Sequence, residues 1–170
     1  MVKITCRAYT ASRAQAHAAY LTGHGQLAGE DEQGFDLPNS ESVRAKIKGW
    51  RLSKEPVFLD RKTHLPADQR KRQRQTHHVV LGMPAGTNPT NLMEAARRFA
   101  RVEFREHQYV LVLHEPATDT RKRGKDGKEP PPEHPHVHFV VRSLGDDGRQ
   151  LRTFKSDLRR WRETFAEQLR

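Results

Sequence analysis

His-Pro-His-Val-His-Phe-Val-Val-Arg, residues 134–142, is the stretch on which the reading of this chain turns. Along a β-strand, side chains two apart share a face. His134, His136 and His138 therefore line one face, while Val137, Phe139 and Val141 line the other, the one to bury under helices. Imidazole is the commonest protein ligand for metal ions, and the i, i+2 spacing brings His136 and His138 within reach of one ion. A second apolar run, Tyr-Val-Leu-Val-Leu-His at 109–114, ends in a histidine. If it pairs with residues 134–142, His114 falls beside His136, and three neutral nitrogens leave coordination positions open for a substrate. His77 and His78 are adjacent in a β-like run, so they point to opposite faces and one of them reaches the histidine face. His17, His24, His64 and His107 read as surface or hydrogen-bonded residues.

Composition narrows the chemistry. The 170 residues fit one domain. There are 31 Lys and Arg against 21 Asp and Glu, a net charge of +10, which favours a polyanionic partner. No run approaches the ~20 apolar residues needed to span a bilayer, and the start carries no apolar signal region. Nucleic acid is thus the expected partner, without membrane insertion. The single cysteine, Cys6, rules out an intrachain disulfide and a cysteine-based zinc knuckle.

Residues 2–8 alternate as a first strand. Ser12 reads as an N-cap for an Ala-rich helix over 13–21, and residues 26–40, Gly-rich and acidic, read as a loop. A second helix follows through Val43, Ile47 and Trp50. Residues 76–83 read as a strand. Thr90 caps a helix over 91–106 with Leu92, Ala95, Ala96, Phe99 and Val102 inward. Residues 115–133 form a polar insertion too hydrophilic for a core. A short strand at 150–154 and a helix from 156, using Leu158, Trp161, Phe165 and Leu169, close the chain. That helix runs to Arg170 without a clear cap, as in a minimal domain or one cut from a longer chain. The order predicts an α+β fold: a mainly antiparallel sheet of about five strands, with helices packed on one face.

Three tyrosines are present. Tyr109 opens a core strand and reads as structural. Tyr9 ends the first strand, and Tyr20 lies late in the first helix, where packing on the sheet is the default role.

Glu133-His-Pro-His-Val-His-Phe-Val-Val141 resembles the third motif of conjugative relaxases, the His-hydrophobic-His endonucleases, with plasmid mobilisation proteins and the T-DNA border endonuclease most similar. Thr76-His-His-Val-Val-Leu-Gly-Met-Pro-Ala-Gly-Thr87 resembles the strand and turn before that family's central helix. Ala19-Tyr20-Leu21-Thr22 is similar to its tyrosine motif. Motif order discriminates further: rolling-circle initiators place the tyrosine after the histidine pair, whereas no tyrosine follows residue 109 here.

The resemblance implies a palm or ferredoxin-like sheet spanning residues 1–170 as one nuclease domain of a bacterial cytoplasmic protein. It implies metal-dependent, strand-specific nicking of single-stranded DNA at a plasmid transfer origin. Tyr20 is then the nucleophile, leaving a resealable 5′-phosphotyrosyl link. His114, His136 and His138 hold Mg²⁺ or Mn²⁺. His134, His77 and His78 are candidates for supporting a ligand or contacting phosphate. Arg70, Lys71, Arg72 and Arg74, with Arg121, Lys122 and Arg123 in the insertion, are candidates for neutralising DNA phosphates, although a solvated face is the commoner fate of such runs. Trp50 and Phe35 are candidates for base stacking. Accessory DNA-binding proteins and a secretion coupling protein are the implied partners. Gly23 stands where the family often has a basic residue, the insertion after His114 is long, and no supporting carboxylate is evident. The alternatives are a replication initiator of the same superfamily, a nicking-inactive module stabilised by a structural ion, and a phosphodiesterase using activated water.

Overall fold

The computed structural model describes residues 1–23, 26–58, 72–115 and 134–170. The elements run β1 (Val2–Ala8), α1 (Ala11–Leu21), β2 (Gly29–Asp31), β3 (Asp36–Leu37), α2 (Ser40–Gly49), β4 (Thr76–Gly82), α3 (Pro89–Glu103), β5 (Tyr109–His114), β6 (His136–Arg142) and α4 (Lys155–Gln168). One antiparallel sheet holds six strands in the order β1-β4-β6-β5-β2-β3. The histidine strand β6 is central, flanked by β4 and β5. No helix among the described residues is long and apolar enough to cross a membrane.

Helices cover both faces of the sheet rather than one. Val79, Leu81, Leu111, Val137, Phe139 and Val141 face α3 and α4, meeting Leu92, Ala95, Phe99, Trp161 and Phe165. Phe99 lies edge-on to Phe104, Phe139, Trp161 and Phe165, with ring centroids 5.4–6.4 Å apart, the geometry aromatic quadrupoles favour. On the other face, Val110, Val112 and Val140 pack under Ala14, Ala18 and Leu21 of α1 and Val43 and Ile47 of α2. The small side chains of α1 let it lie close on the sheet. Val102 and Leu169, expected inward, are 58% and 37% exposed.

Two further departures concern strands. The segment read as a loop at 26–40 contains β2 and β3, which extend the sheet beyond β5. β2 is polar, and ion pairs fix it. Arg97 donates to both oxygens of Glu30, at 2.7–3.0 Å, and Lys46 bridges Asp31 and Glu32 at 2.8 and 2.7 Å. Although burial opposes it, the bond from Lys46 and the backbone N–H groups of Phe35 and Gln33 hold Asp31 below the usual carboxylate range. Residues 150–154 make no strand; Gln150 forms only an isolated bridge with Leu144.

Side-chain caps set the helix starts. Thr10, not Ser12, accepts from Arg13 N, and Asn88, not Thr90, caps α3 with Pro89 in its first turn, where proline lacks only an N–H that has no helical partner. Asn39 and Ser42 form a reciprocal capping box on α2.

His77 and His78 point to opposite faces of β4, as their adjacency requires. His77 is buried, and its Nδ1 lies 2.9 Å from Ser143 Oγ. Burial, with Arg74 and Arg7 nearby, lowers its pKa from 6.5 to about 3. Between these values the unfolded chain binds the extra proton, so stability rises with pH. The adverse effect is absent above pH 6.5 and grows as pH falls towards about 3, reaching on the order of a few kcal/mol. His77→Asn should therefore show a smaller loss of urea stability between about pH 7 and about pH 5 than the parent. Equal losses would show that His77 does not carry this acid sensitivity.

Candidate metal centre

The register of β5 on β6 sets His114 opposite His136 and Val112 opposite His138. Because alternate residues share a face, His114, His136 and His138 converge on the α1 side of the sheet. All three are buried, at 1%, 5% and 5% exposure. Their ring centroids lie 4.4–5.1 Å apart, and one nitrogen from each falls within 4.8 Å of the others. Nitrogens bound at ~2.1 Å to one ion lie at most ~4.2 Å apart, so small side-chain rotations close the set.

The hydrogen bonds assign a role to each ring nitrogen. His114 Nε2 lies 2.7 Å from the Leu21 carbonyl, which can only accept, so this nitrogen carries the proton and Nδ1 keeps the lone pair. His136 Nδ1 likewise donates to the His134 carbonyl at 3.1 Å, which leaves Nε2 to ligate. His138 Nδ1 is 2.8 Å from His78 Nε2, and His78 Nδ1 is 2.9 Å from Thr5 Oγ1. With His138 Nε2 as ligand, protons run His138 to His78 to Thr5, and each ring is held in one tautomer. Such outer partners orient ligands and raise their basicity. Burial, with His17 and His114 adding to it, lowers His78 to about 4 from 6.5, so it is a neutral acceptor near neutral pH. Three neutral, oriented imidazoles on one buried patch suit a divalent ion with open positions.

A cleft of about 480 Å³ opens over this patch and is lined by Thr5, Cys6, His17, Tyr20, His78, His136 and His138 among others. Tyr20 is 49% exposed at the end of α1, and the next residue, Leu21, supplies the carbonyl that holds His114. Tyr109 is buried in the α3–α4 core, and burial pushes its pKa up to about 12.

The remaining expectations divide. His78 joins the site and His77 does not. His134 lies outside β6, its ring centroid 5.8 Å from that of His136; its carbonyl accepts from His136 Nδ1 while its ring lines the cleft. Arg72 is exposed, and Arg74 donates to Thr153 Oγ1 at 2.8 Å, on the side of β4 away from the cleft residues. Arg70, Lys71, Arg121, Lys122 and Arg123 lie outside the described residues. Trp50 is buried at 2% exposure, which removes it as a stacking platform, while Phe35 is 64% exposed.

Sequence reasoning missed Thr5, Cys6 and His17. His17 reads as an isolated helix histidine, yet its Nε2 meets Cys6 Sγ at 3.0 Å and its ring lies 6.1 Å from that of His78. The available signal was its spacing three residues before Tyr20, which places both on one side of α1.

The geometry makes graded predictions for metal affinity. His138→Ala should abolish Mn²⁺ binding measured by calorimetry. His78→Ala should weaken it roughly 10–100-fold, the usual cost of losing an outer partner. Parent-like affinity in His78→Ala would remove the relay from Thr5 as a determinant of the ligand.

Comparison with known proteins agrees with this architecture. The MobA/VirD2-like relaxase nuclease domain family matches residues 58–170, two thirds of the chain. Tyr20 lies outside that span. Curated proteins give no match. Among solved structures, the conjugative relaxase TrwC, in a metal-bound complex with oriT DNA, is 14% identical with a TM-score of 0.54, covering 99% of this chain and 68% of that one. A structure described as the molecular basis of vancomycin resistance transfer in Staphylococcus aureus is 14% identical with a TM-score of 0.49, covering 99% and 90%. At this identity the likeness to TrwC is one of fold. With the family match over most of its length, the chain belongs to the MobA/VirD2-like relaxases, metal-dependent DNA-nicking nucleases.

Proposed function

We propose that this relaxase nicks single-stranded DNA at a plasmid transfer origin by transesterification, with Tyr20 as nucleophile and His114, His136 and His138 as ligands of Mg²⁺ or Mn²⁺. The observation that carries the reading is that Tyr20, half-exposed at the end of α1, lines the same cleft as His136 and His138. A divalent ion held by these imidazoles would supply positive charge to the scissile phosphate; imidazoles accept many divalent ions, and Mg²⁺ or Mn²⁺ is what the resemblance to relaxases implies.

The covalent step conserves bonds. The Tyr20 oxygen forms a bond to phosphorus, the bond from phosphorus to the 3′ oxygen breaks, and that oxygen takes up a proton as the 3′-hydroxyl. The phenolic proton passes to water or to a neutral imidazole of the cleft. A free phenol ionises near pH ~10, so Tyr20 needs a proton acceptor, a role open to His17 in the same cleft. One phosphodiester replaces another, so attack by the 3′-hydroxyl on the 5′-phosphotyrosyl link reseals the strand.

Residues 1–170 act as one nuclease domain, since β1 through β6 share one sheet. Arg70, Lys71, Arg72 and Arg74, with Arg121, Lys122 and Arg123, neutralise DNA phosphates. The expected setting is the bacterial cytoplasm, with accessory DNA-binding proteins at the origin and a secretion coupling protein as partners.

Tyr20→Phe should abolish covalent capture of a labelled origin oligonucleotide on a denaturing gel with Mn²⁺, while DNA binding stays within about twofold. Undiminished adduct sinks the assignment of Tyr20. Cleavage by the parent without adduct identifies water as the nucleophile instead.

A further inference from the structure

A second groove, about 1200 Å³, lies between the first turns of α1 and the exposed face of α2, on the same side of the sheet as the cleft. Its floor is Ala11, Ala45, Ile47 and Leu52, and its rim carries Arg44, Lys48, Arg51 and Lys54 against one carboxylate, Glu41. The cations are differently engaged. Lys46, two residues from Lys48, is taken up by Asp31 and Glu32, and Arg44 donates to Gln15. Lys48, Arg51 and Lys54 are exposed and make no ion pair among the described residues.

The rim is fixed rather than loose. Trp50 is buried at the end of α2, and Ala11 N donates to Ser53 O at 2.7 Å, so the turn carrying Arg51 and Lys54 is pinned to the start of α1. Arg51 adopts a left-handed backbone, φ 51°, a conformation that non-glycine residues adopt at a cost and that is enriched at functional positions. Arg44 and Lys48 stand four residues apart, a rise of ~6 Å along the axis that successive phosphates of an extended strand can follow. Among the described residues that line it, the groove offers cations rather than aromatic rings, a lining suited to a sugar–phosphate backbone.

Position relates the groove to the cleft. Ala11, Ser12 and Gln15 of α1 line the groove, and His17 and Tyr20 of the same helix line the cleft. The helix is ~16 Å long, and the exposed, small Ala16 lies between the two flanks. We infer that the α1–α2 groove is a second DNA subsite that holds the backbone of the single strand a few nucleotides from the phosphate presented to Tyr20. The inference deepens the nicking reading and rests on it for the placement of Tyr20.

The test uses the full chain and an oligothymidylate of about 20 nucleotides, bound in chelator across a salt series so that neither metal nor cleavage enters. Combined Lys48→Gln, Arg51→Gln and Lys54→Gln should make the slope of log affinity against log salt shallower by about 2, at about 0.7 per phosphate contact, and lower affinity roughly 10-fold near 0.1 M salt. Combined Arg105→Gln, Arg149→Gln and Arg152→Gln, an equal charge loss elsewhere on the surface, should leave the slope unchanged. An unchanged slope in the first variant, or equal changes in both, overturns the subsite. In the unsubstituted protein, the oligonucleotide should protect Lys48 and Lys54 from acetylation; equal reactivity with and without DNA also overturns it. Absence of a covalent adduct in the parent bears on Tyr20 alone, and the slopes still decide the groove.

Discussion

The pairing of β5 with β6 is the constraint on which the site depends. His114 stands opposite His136, and the ladder continues through Val112 and His138 to Tyr109 and Val141. A slip of one residue would reverse the faces of β5. His114 would then point into the aromatic core of α3 and α4, and Leu111 and Leu113 would point towards His136 and His138. Burial on both faces opposes the slip, because Leu111 and Tyr109 fill one core and Val110 and Val112 the other. The same register that satisfies two apolar layers thus assembles the three imidazoles.

Much of this was legible in sequence because strand alternation is strict. The spacing of His136 and His138 gave their shared face, and the apolar run ending at His114 gave the partner strand. The opposed directions of His77 and His78 followed from adjacency alone; which one faces the cleft did not. That choice depends on the register of β4, where His78 sits opposite Val140 and diagonal to His138. Thr5 was beyond reach for the same reason, since its contact with His78 joins strands 73 residues apart, and the approach of the His17 ring to His78 likewise waits on the placement of β4.

The misread segment at 26–40 has a different cause. Hydropathy reads Glu30, Asp31 and Glu32 as solvated, but Arg97 and Lys46 reach back from α3 and α2 to pair with them. A strand stabilised by long-range ion pairs carries no apolar period, so the sixth-strand extension of the sheet stays hidden until α2 and α3 are placed. The expectation of helices on one face failed similarly. The Ala-rich α1 is only weakly amphipathic in composition, yet Ala14, Ala18 and Leu21 are fully buried.

The sheet divides the molecule into two independent halves. The large aromatic side chains Phe99, Phe104, Phe139 and Trp161 lie on the side away from the histidines, and the chemistry-bearing residues lie over small aliphatic ones. The aromatic half is therefore constrained by packing, and the other half by the geometry of the histidines. α1 belongs to the second half, since it brings Tyr20 to the cleft and holds His114 through the Leu21 carbonyl. A substitution beneath α1 therefore disturbs the histidine geometry while the aromatic half stays packed.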